Sequence, residues 1–465
     1  MLNISGWRWK RLLAVSCSVS LLLGASNAMA QQVATALDSR TGSGPAAAAN
    51  TKNAATRTEP SMEEMLSIIK RLEDRVRELE AKASPVPAPA TNSVQPAAIT
   101  TAAVSTEPKA VKIQKDDEDK KANDGILGFF RSTEITGFVD AYYGYNFNSP
   151  PGDTQLRNFD IKHNQFSFNL AELALEKKPT PDSRGGFRMD LGFGPTADIV
   201  NSFEPAGSET FRHLQQAYVS YLAPVGKGLQ IDAGKFVTPH GAEVIETRDN
   251  WNYSRSLLFA LAIPYYHFGV RATYPVNDKF SVTGFLVNGW NNVVDNNSSK
   301  TVGISATIKP TSKFTWINNY MAGPEQTGNK DDWRHLYDTT ATYTVNDKLS
   351  LMANYDYGSD RLFGTRVRWQ GIAAYAKIQA NSWYAFSPRF EWYDDHDGFT
   401  TGLAQTVKDI TLTSEHKYKS LITRLEYRRD FSDKDFFFKA GDRIVRAQST
   451  LSLGLIYSFT SKGDQ

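Results

Sequence analysis

The chain has 465 residues, a formal net charge of +2 and a mean hydropathy of −0.42. The nearly balanced charge gives no sign of a nucleic-acid surface, and the polar average excludes a helical membrane protein. Aromatic residues make up 12% of the chain, and most of them are Phe or Tyr. A polar average with many aromatics fits either a soluble all-β protein or a membrane barrel that is apolar outside and polar inside.

The first thirty residues have the order of a secretory signal peptide. A short basic stretch precedes the apolar run 12–23, and Ala-Met-Ala at 28–30 follows as a cleavage site. The apolar run is too short for the alternative, a transmembrane anchor, which must span about 30 Å of hydrocarbon. We therefore predict that 1–30 is removed. The only cysteine, Cys17, lies within it, so the mature chain is predicted to have no disulfide and no thiolate chemistry.

Two low-complexity stretches follow, at 31–60 and 84–125. The first is rich in Ala, Thr, Gly and Ser, and the second combines repeated prolines with the charge run 115–121. Neither contains enough large apolar residues to bury a core. We predict a disordered segment at 31–60 and a Pro/Ala-rich, charged linker at 84–125.

Between them, 61–83 has the spacing of a short coiled coil. Its apolar residues are alternately three and four apart: Met62, Met65, Ile69, Leu72, Val76 and Leu79. The β-branched Ile69 and Val76 at the first heptad position favour a coil of two helices. Leu66 and Ile68 widen the apolar seam and favour a coil of more than two helices. The alternative is a lone amphipathic helix, but a helix flanked by disorder would have nothing to dock on.

From residue 134 onward, apolar residues recur at every second position. In 187–193, for example, Phe, Met, Leu and Phe alternate with Arg, Asp and Gly, as in a β-strand with one polar face. About sixteen strands are predicted, at 134–147, 163–176, 185–194, 212–223, 228–237, 264–274, 280–290, 300–309, 313–322, 333–344, 349–357, 369–379, 384–394, 406–414, 419–430 and 449–459. An even number brings both ends of a domain at 126–465 to the periplasmic side.

Strands of a soluble β-sandwich also alternate between apolar and polar residues, so the lengths of the connections between strands decide between the two classes. Short links, at 275–279, 309–313 and 345–348, alternate with long links rich in Asn, Asp and Gly, at 194–211, 291–299, 323–332, 359–368 and 394–405. Short periplasmic turns and long outer loops produce this order. Aromatics near strand ends, such as Trp290 and Tyr457, favour interfacial girdles. The prediction is an all-β transmembrane barrel of about 16 antiparallel strands.

The final strand carries a spaced pattern of four residues. A polar residue is followed two positions later by a glycine, and two aromatic residues follow three and five positions after that glycine. The four residues are Ser452, Gly454, Tyr457 and Phe459. This resembles the C-terminal signal that the barrel-assembly machinery reads, so we expect that machinery and outer-membrane lipid as partners. Residues 460–465 depart from the pattern, because outer-membrane barrels often end at the final aromatic.

The stretch 234–244, Gly-Lys-Phe-Val-Thr-Pro-His-Gly-Ala-Glu-Val, resembles the OmpL-like putative β-barrel porin family. Ser-Arg-Ser at 254–256, Gly-Val-Arg at 269–271 and the opening strand at 137–143 extend the resemblance, which covers 134–459. It implies an outer-membrane barrel that acts as a porin, with the substrate unassigned. Porins of this size are commonly trimers, so we expect a parallel trimer with the coiled coil in the periplasm.

Charged residues on the strands are assigned to the lumen, because a charge facing lipid at mid-depth costs about 2–4 kcal/mol. The lumen candidates are Arg188, Asp190, Asp232, Arg271, Asp338, Asp356, Arg389, Glu391, Arg424, Glu426 and Arg428. General porins fold their third loop into the barrel, and by that resemblance the long link 238–263 supplies the constriction. Its candidates are Glu243, Glu246, Arg248, Asp249 and Arg255. The alternative is a loop packed outside, over the barrel mouth.

The leading interpretation is an outer-membrane porin that lets small hydrophilic solutes or ions diffuse through a water-filled barrel. The alternative is a structural barrel without an open pore, tethered in the envelope through its N-terminal coil. An enzyme is disfavoured, because no G-x-S-x-G, H-E-x-x-H or phosphate-loop pattern occurs. His396 has acidic neighbours at 394–397 that could hold a cation, but a polar loop tip is the simpler interpretation. We predict no catalytic residue, metal or cofactor.

Overall fold

The computed structural model describes residues 128–362 and 364–462. The predicted signal peptide, the segment 31–60, the coiled coil 61–83 and the linker 84–125 lie outside these residues and stay predictions. No helix in the described ranges has the length and apolarity needed to cross a membrane.

In the part of the chain that the structure describes, sixteen antiparallel strands form a closed barrel, which confirms the predicted architecture. They are β1 (Glu134–Asn146), β2 (Gln165–Lys177), β3 (Gly185–Phe193), β4 (Leu214–Ala223), β5 (Leu229–Val237), β6 (Tyr266–Asn277), β7 (Phe280–Val287), β8 (Thr301–Thr311), β9 (Phe314–Pro324), β10 (Trp333–Asn346), β11 (Leu349–Leu362), β12 (Thr365–Gln379), β13 (Tyr384–Asp395), β14 (Gln405–Tyr418), β15 (Leu421–Ser432) and β18 (Ala447–Thr460). β16 (Phe437–Lys439) and β17 (Arg443–Val445) form a separate hairpin. Short helices α1 (Pro195–Val200) and α2 (Ser208–Phe211) lie between β3 and β4.

Each barrel strand pairs with its neighbour in sequence, and β18 closes the ring between β15 and β1. In the closing ladder, Gly137 lies opposite Phe459 and Val139 opposite Tyr457. Closure removes the two free edges that an open sheet would have, so the backbone polar groups of the strands pair within the barrel. A barrel of this kind can cross hydrocarbon without unpaired backbone groups.

Turns of two to seven residues join the strands at one end, with two residues between β6 and β7 and between β10 and β11. The other end carries the longer connections. We name them L1 (147–164), L2 (194–213), L3 (238–265), L4 (288–300), L5 (325–332), L7 (396–404) and L8 (433–446). The start of β1 and the end of β18 both lie on the side of the short turns. From the usual polarity of such barrels we expect that side to be periplasmic and these longer loops to be extracellular.

The prediction of a long link at 359–368 is wrong. β11 and β12 continue through it as a tall hairpin, with Ser359 opposite Arg368 and Leu362 opposite Thr365. Its polar composition resembles that of a loop, but the inward Asp360 accepts two hydrogen bonds from Arg334 of β10, at 2.9 and 2.7 Å. This buried ion pair holds the extended strands to the barrel wall.

The two faces of the strands have opposite chemistry. On β18, Leu453, Leu455, Tyr457 and Phe459 are exposed on the outer face, while Ser452 faces inward and is buried. Exposed apolar side chains along every second position are what a lipid-facing surface requires. Tyr343 and Tyr457 fit the expected girdles. Trp290 does not, because its ring lies in L4 and packs against the buried Trp369, with centroids 6.4 Å apart.

Candidate functional site

L3 is folded into the barrel and is bound to the wall through its own backbone. The amides of Tyr253 and Ser254 donate to the Glu426 carboxylate of β15, at 2.6 and 2.9 Å. The amide of Leu257 donates to Glu391 of β13 at 2.7 Å. Charge-assisted hydrogen bonds of this length are among the strongest polar contacts in proteins. Carboxylates on the wall therefore satisfy the loop amides that the irregular backbone leaves unpaired.

Arginines of the same wall bind the loop carbonyls. Arg424 donates to the carbonyl of Thr247 at 2.6 Å and to that of Asn252 at 3.1 Å. Arg389 donates to Ser254 O at 2.7 Å, and Arg428 donates to the next carbonyl along the loop at 2.6 Å. All three arginines are almost completely buried. These predicted lumen residues thus hold L3 in place, and L3 covers them.

The five predicted constriction residues divide into two groups. Glu243 is buried and forms an ion pair with Arg389 at 2.9 Å. Arg255 is buried and donates to carbonyls of L3 itself, and Glu246 is also buried, which raises the pKa of its carboxyl. Arg248 and Asp249 instead line an internal cavity, where 58% of the Asp249 side chain is exposed.

That cavity has a volume of about 690 Å³ and opens towards the short turns. Lys348 contributes to its wall from the turn between β10 and β11, and Trp383 from the turn between β12 and β13. Lys377 and Glu415 form an ion pair on its wall, with the Lys377 Nζ and Glu415 Oε1 atoms 3.6 Å apart. The cavity is large enough for a small solute, and its walls carry charges of both signs. We call it the vestibule.

Two further charged residues of the wall lie beneath L3, and they are not among the candidates predicted from the sequence. Asp409 of β14 is within 3.5 Å of Arg389 and also pairs with Arg428. Asp140 of β1 accepts hydrogen bonds from the hydroxyls of Thr247 and Tyr253, at 2.6 and 2.9 Å. Both occupy the inward phase of their strands, as Glu391 does, so the alternation by itself would have found them.

The remaining lumen candidates form three smaller groups. Arg188 pairs with Asp190 at 2.9 Å along β3, and Arg271 of β6 pairs with Asp232 of β5 at 2.8 Å. Their arginine side chains are 27% and 24% exposed, so this part of the wall is not covered by L3.

The third group fixes the start of L3. Asp338 and Asp356 lie opposite each other on β10 and β11, and the Asn354 amide donates to both. Asn354 also accepts from the amide of Ala242, at 3.1 Å, and Asn319 donates to Pro239 O at 2.9 Å. These contacts attach L3 to β9 and β11 where it enters the barrel.

The second half of L3 makes apolar contacts beneath the outer loops. A π-helical turn, Leu258–Ala262, belongs to a buried cluster with Phe159 of L1 and with Trp369 and Tyr393 of the wall. The Trp369 indole donates to Ala262 O at 3.1 Å. The barrel interior is therefore apolar under the outer loops and charged towards the periplasm.

Carboxylates also join the loops of the extracellular mouth. Glu204 of L2 accepts from the amides of Val293 and Val294 in L4, at 2.8 and 3.0 Å. Glu325 of L5 accepts from the Trp290 amide at 2.7 Å. Burial raises the pKa of Glu325 to about 7. L2, L4 and L5 are thus tied together over the barrel.

The four residues of the predicted assembly signal face two ways. Ser452 and Gly454 point to the lumen, while Tyr457 and Phe459 point to lipid. A Cβ atom on Gly454 would overlap the ring of Tyr253 in L3. Glycine at this position therefore leaves room for the loop inside the barrel, in addition to the proposed part in assembly.

His396 lies in L7 with its side chain 57% exposed, 4.0 Å from Asp397. Within 128–362 and 364–462, no three His, Cys, Asp or Glu side chains are grouped in a way that could hold a metal ion.

A closed antiparallel barrel with an apolar outer face and charged inner face is an outer-membrane β-barrel. A family model described as putative beta-barrel porin-2, OmpL-like, matches residues 132–459. The chain belongs to this family of outer-membrane porins.

Among solved structures, the chain is similar to the outer membrane channel DcaP of Acinetobacter baumannii, with 13% identity and a TM-score of 0.48 over 70% of this chain and 97% of that one. The trimer form of OmpT from Vibrio cholerae has 11% identity and a TM-score of 0.48, over 70% of this chain and 99% of that one. OmpF of Salmonella typhi, in complex with daunomycin, has 13% identity and a TM-score of 0.44, over 70% and 97%. No curated protein matches the sequence.

Proposed function

We propose that this barrel lets small hydrophilic solutes or ions diffuse across the outer membrane, through a passage that L3 narrows. One observation carries the proposal: L3 is folded into the lumen and bound to the barrel wall, and a vestibule with charges of both signs lies beside it. A barrel of this strand number is wide enough for an aqueous channel. No bond-making chemistry is needed for this function.

Within this proposal the candidate residues have two tasks. Arg248 and Asp249 line the vestibule with Lys377 and Glu415, where their charges would act on passing ions. Glu243, Glu246 and Arg255 are buried in contacts of L3, so they maintain its shape. Fixed charges at a narrow site are poorly screened and therefore select among ions.

The test of the proposed function is the conductance of the purified full-length protein in a planar bilayer. Discrete open steps, reduced by hydrophilic solutes that enter the vestibule, are the expected result. Heat-modifiable migration on gels establishes in parallel that the barrel is folded. Folded protein without conductance would contradict the proposal.

Asp249→Asn should shift the ion selectivity of the pore towards anions, because it removes an exposed negative charge from the vestibule wall. The reversal potential in a salt gradient measures this. Asp182→Asn is the matched control, since Asp182 is exposed between β2 and β3 on the same side but does not line the vestibule. Equal shifts in the two variants would mean that the vestibule is not the narrow part of the pathway.

A second candidate, a structural barrel without an open pore, is favoured by the apolar cluster under the outer loops. Phe259, Tyr265 and Phe159 pack within 6.1 Å of one another, centroid to centroid, and polar solutes would have to pass beside them. The bilayer measurement separates this candidate from the first. The N-terminal tether that it also invokes lies outside the described residues.

We further propose a parallel trimer in which the three copies of the segment 61–83 form a coiled coil. Three heptads are marginal alone, but tethering three copies raises their effective concentration. Ile69→Asp with Leu72→Asp should melt the coil without reducing barrel insertion, and native mass in detergent measures the oligomer. Lys70→Asp with Arg71→Asp, at positions outside the seam, is the control. A dimer or monomer of the wild-type protein would contradict the trimer; an unchanged trimer in the seam variant would show that the barrels hold it together.

A further inference from the structure

The outer face of β10, β11 and β12 carries a small pocket near its extracellular end. The pocket has a volume of about 320 Å³. Its outward-facing wall includes Trp333, His335, Arg361 and Arg366, and the rest of its lining is Asp331, Ser359 and Asp360. The rings of Trp333 and His335 lie 6.5 Å apart at an angle of 32°. This face of the barrel is separate from the lumen, so the proposed pore leaves the pocket without a role.

Arg361 and Arg366 face each other directly across the tall hairpin. Both side chains are exposed, and neither forms an ion pair with any residue that the structure describes. The adjacent Asp360 faces inward and forms an ion pair with Arg334. Like charges directly opposite each other on antiparallel strands are destabilising. An anion bound between the two guanidinium groups would remove that repulsion.

The depth of the pocket in the membrane indicates which anion. Tyr337 and Tyr357 lie opposite each other on the outer face, and Tyr320 lies opposite Tyr337. Such a row of outward tyrosines marks the boundary between hydrocarbon and headgroups. Arg361 lies four residues beyond Tyr357 on β11, which is about 14 Å along the strand at 3.4 Å per residue. The facing arginines are therefore at the level of the lipid headgroups of the extracellular leaflet.

We propose that this pocket binds a phosphate group of an outer-leaflet lipid headgroup, held between Arg361 and Arg366. Guanidinium groups match phosphate oxygens in bidentate geometry, and two of them neutralise one doubly charged phosphate. Trp333 and His335 border the same pocket and offer flat faces to the sugar or acyl portion of the lipid. The proposal concerns a lipid contact and does not depend on whether the pore conducts.

Folded full-length protein, purified in detergent and stripped of lipid, is compared with and without added lipopolysaccharide. Without lipid, Arg361→Gln with Arg366→Gln should not lower the melting temperature, because it removes the repulsion. With lipid, the melting temperature of the wild-type protein should rise and that of the variant should not. The wild type should then melt at a higher temperature than the variant. Binding of the lipid should weaken by at least about tenfold in the variant.

Lys309→Gln with Lys313→Gln is the matched control, because it removes two exposed positive charges at the periplasmic end of the barrel. It should bind the lipid as the wild type does. Three outcomes would overturn the proposal: equal loss in both variants, equal binding of a dephosphorylated lipopolysaccharide, or equal stabilisation by inorganic phosphate alone. A changed native mass of the arginine variant, with lipid binding intact, would place a second copy of the chain on this face instead.

Discussion

Replacing Arg424 by Met should increase the conductance of the pore and make it fluctuate. Arg424 donates to three carbonyls of L3, those of Thr247, Asn250 and Asn252. Removing one partner of a buried polar network costs about 3–5 kcal/mol. L3 is the least constrained partner, since the barrel strands are held by continuous ladders on both sides. We therefore expect the loop, and not the wall, to yield. Single-channel recordings measure the change.

Arg271→Met is the matched control for this prediction. Arg271 is a wall arginine in an ion pair with Asp232, as Arg424 is with Glu415, but its hydrogen bonds do not include L3. Deletion of 240–263 with a short Gly-Ser bridge sets the upper limit, a severalfold larger conductance from a lumen without its loop. An Arg424→Met pore that matches Arg271→Met would contradict the view that wall arginines hold L3.

Replacing Tyr457 and Phe459 together by Ala should reduce the yield of folded barrel severalfold and leave unfolded chain in the periplasm. Both side chains face outward on β18, and Phe459 lies opposite Gly137 in the ladder that closes the ring. The closing strand must be recognised and paired before the barrel has no free edge. The measurement is the heat-modifiable fraction in the outer membrane.

Leu453→Ala with Leu455→Ala is the control for the assembly signal. The two leucines lie on the same outer face of β18, with exposure of 40% and 47%, close to the 55% and 44% of Tyr457 and Phe459. The control loses similar lipid-facing surface without touching the aromatic pattern. Comparable losses in both double variants would show that apolar surface in general, and not the signal, limits assembly.

The strands were predictable because their signal is local. Side chains of a strand alternate between two faces, so a lipid-facing and a water-facing surface impose a period of two on every segment. Predicted and observed bounds agree closely for β1 (Glu134–Asn146) and β13 (Tyr384–Asp395). Both strands of the hairpin of β11 and β12 were predicted, but their extension through 359–368 was missed, because the ion pair between Asp360 and Arg334 joins residues that the pattern cannot relate.

The candidate site was only partly predictable, for the same reason. The sequence indicates that L3 is long and charged, and a family resemblance suggests that it enters the barrel. It does not distinguish Glu243, which pairs with Arg389, from Asp249, which faces the vestibule. That difference depends on which wall residue stands opposite each loop residue. The partners are far apart in sequence, as with Tyr253 and Glu426, which are 173 positions apart.

The sequence by itself determined the class of this protein: a sixteen-stranded outer-membrane barrel, with charges on the inward phase of its strands. These properties follow from the chemistry of lipid and water acting on each strand separately. Only the tertiary structure decided how the interior is used. Closing the ring brings β1, β13, β14 and β15 around L3, and their buried arginines and carboxylates then bind the loop backbone. The same closure places Arg361 opposite Arg366 on the outer face, a juxtaposition that depends on strand register.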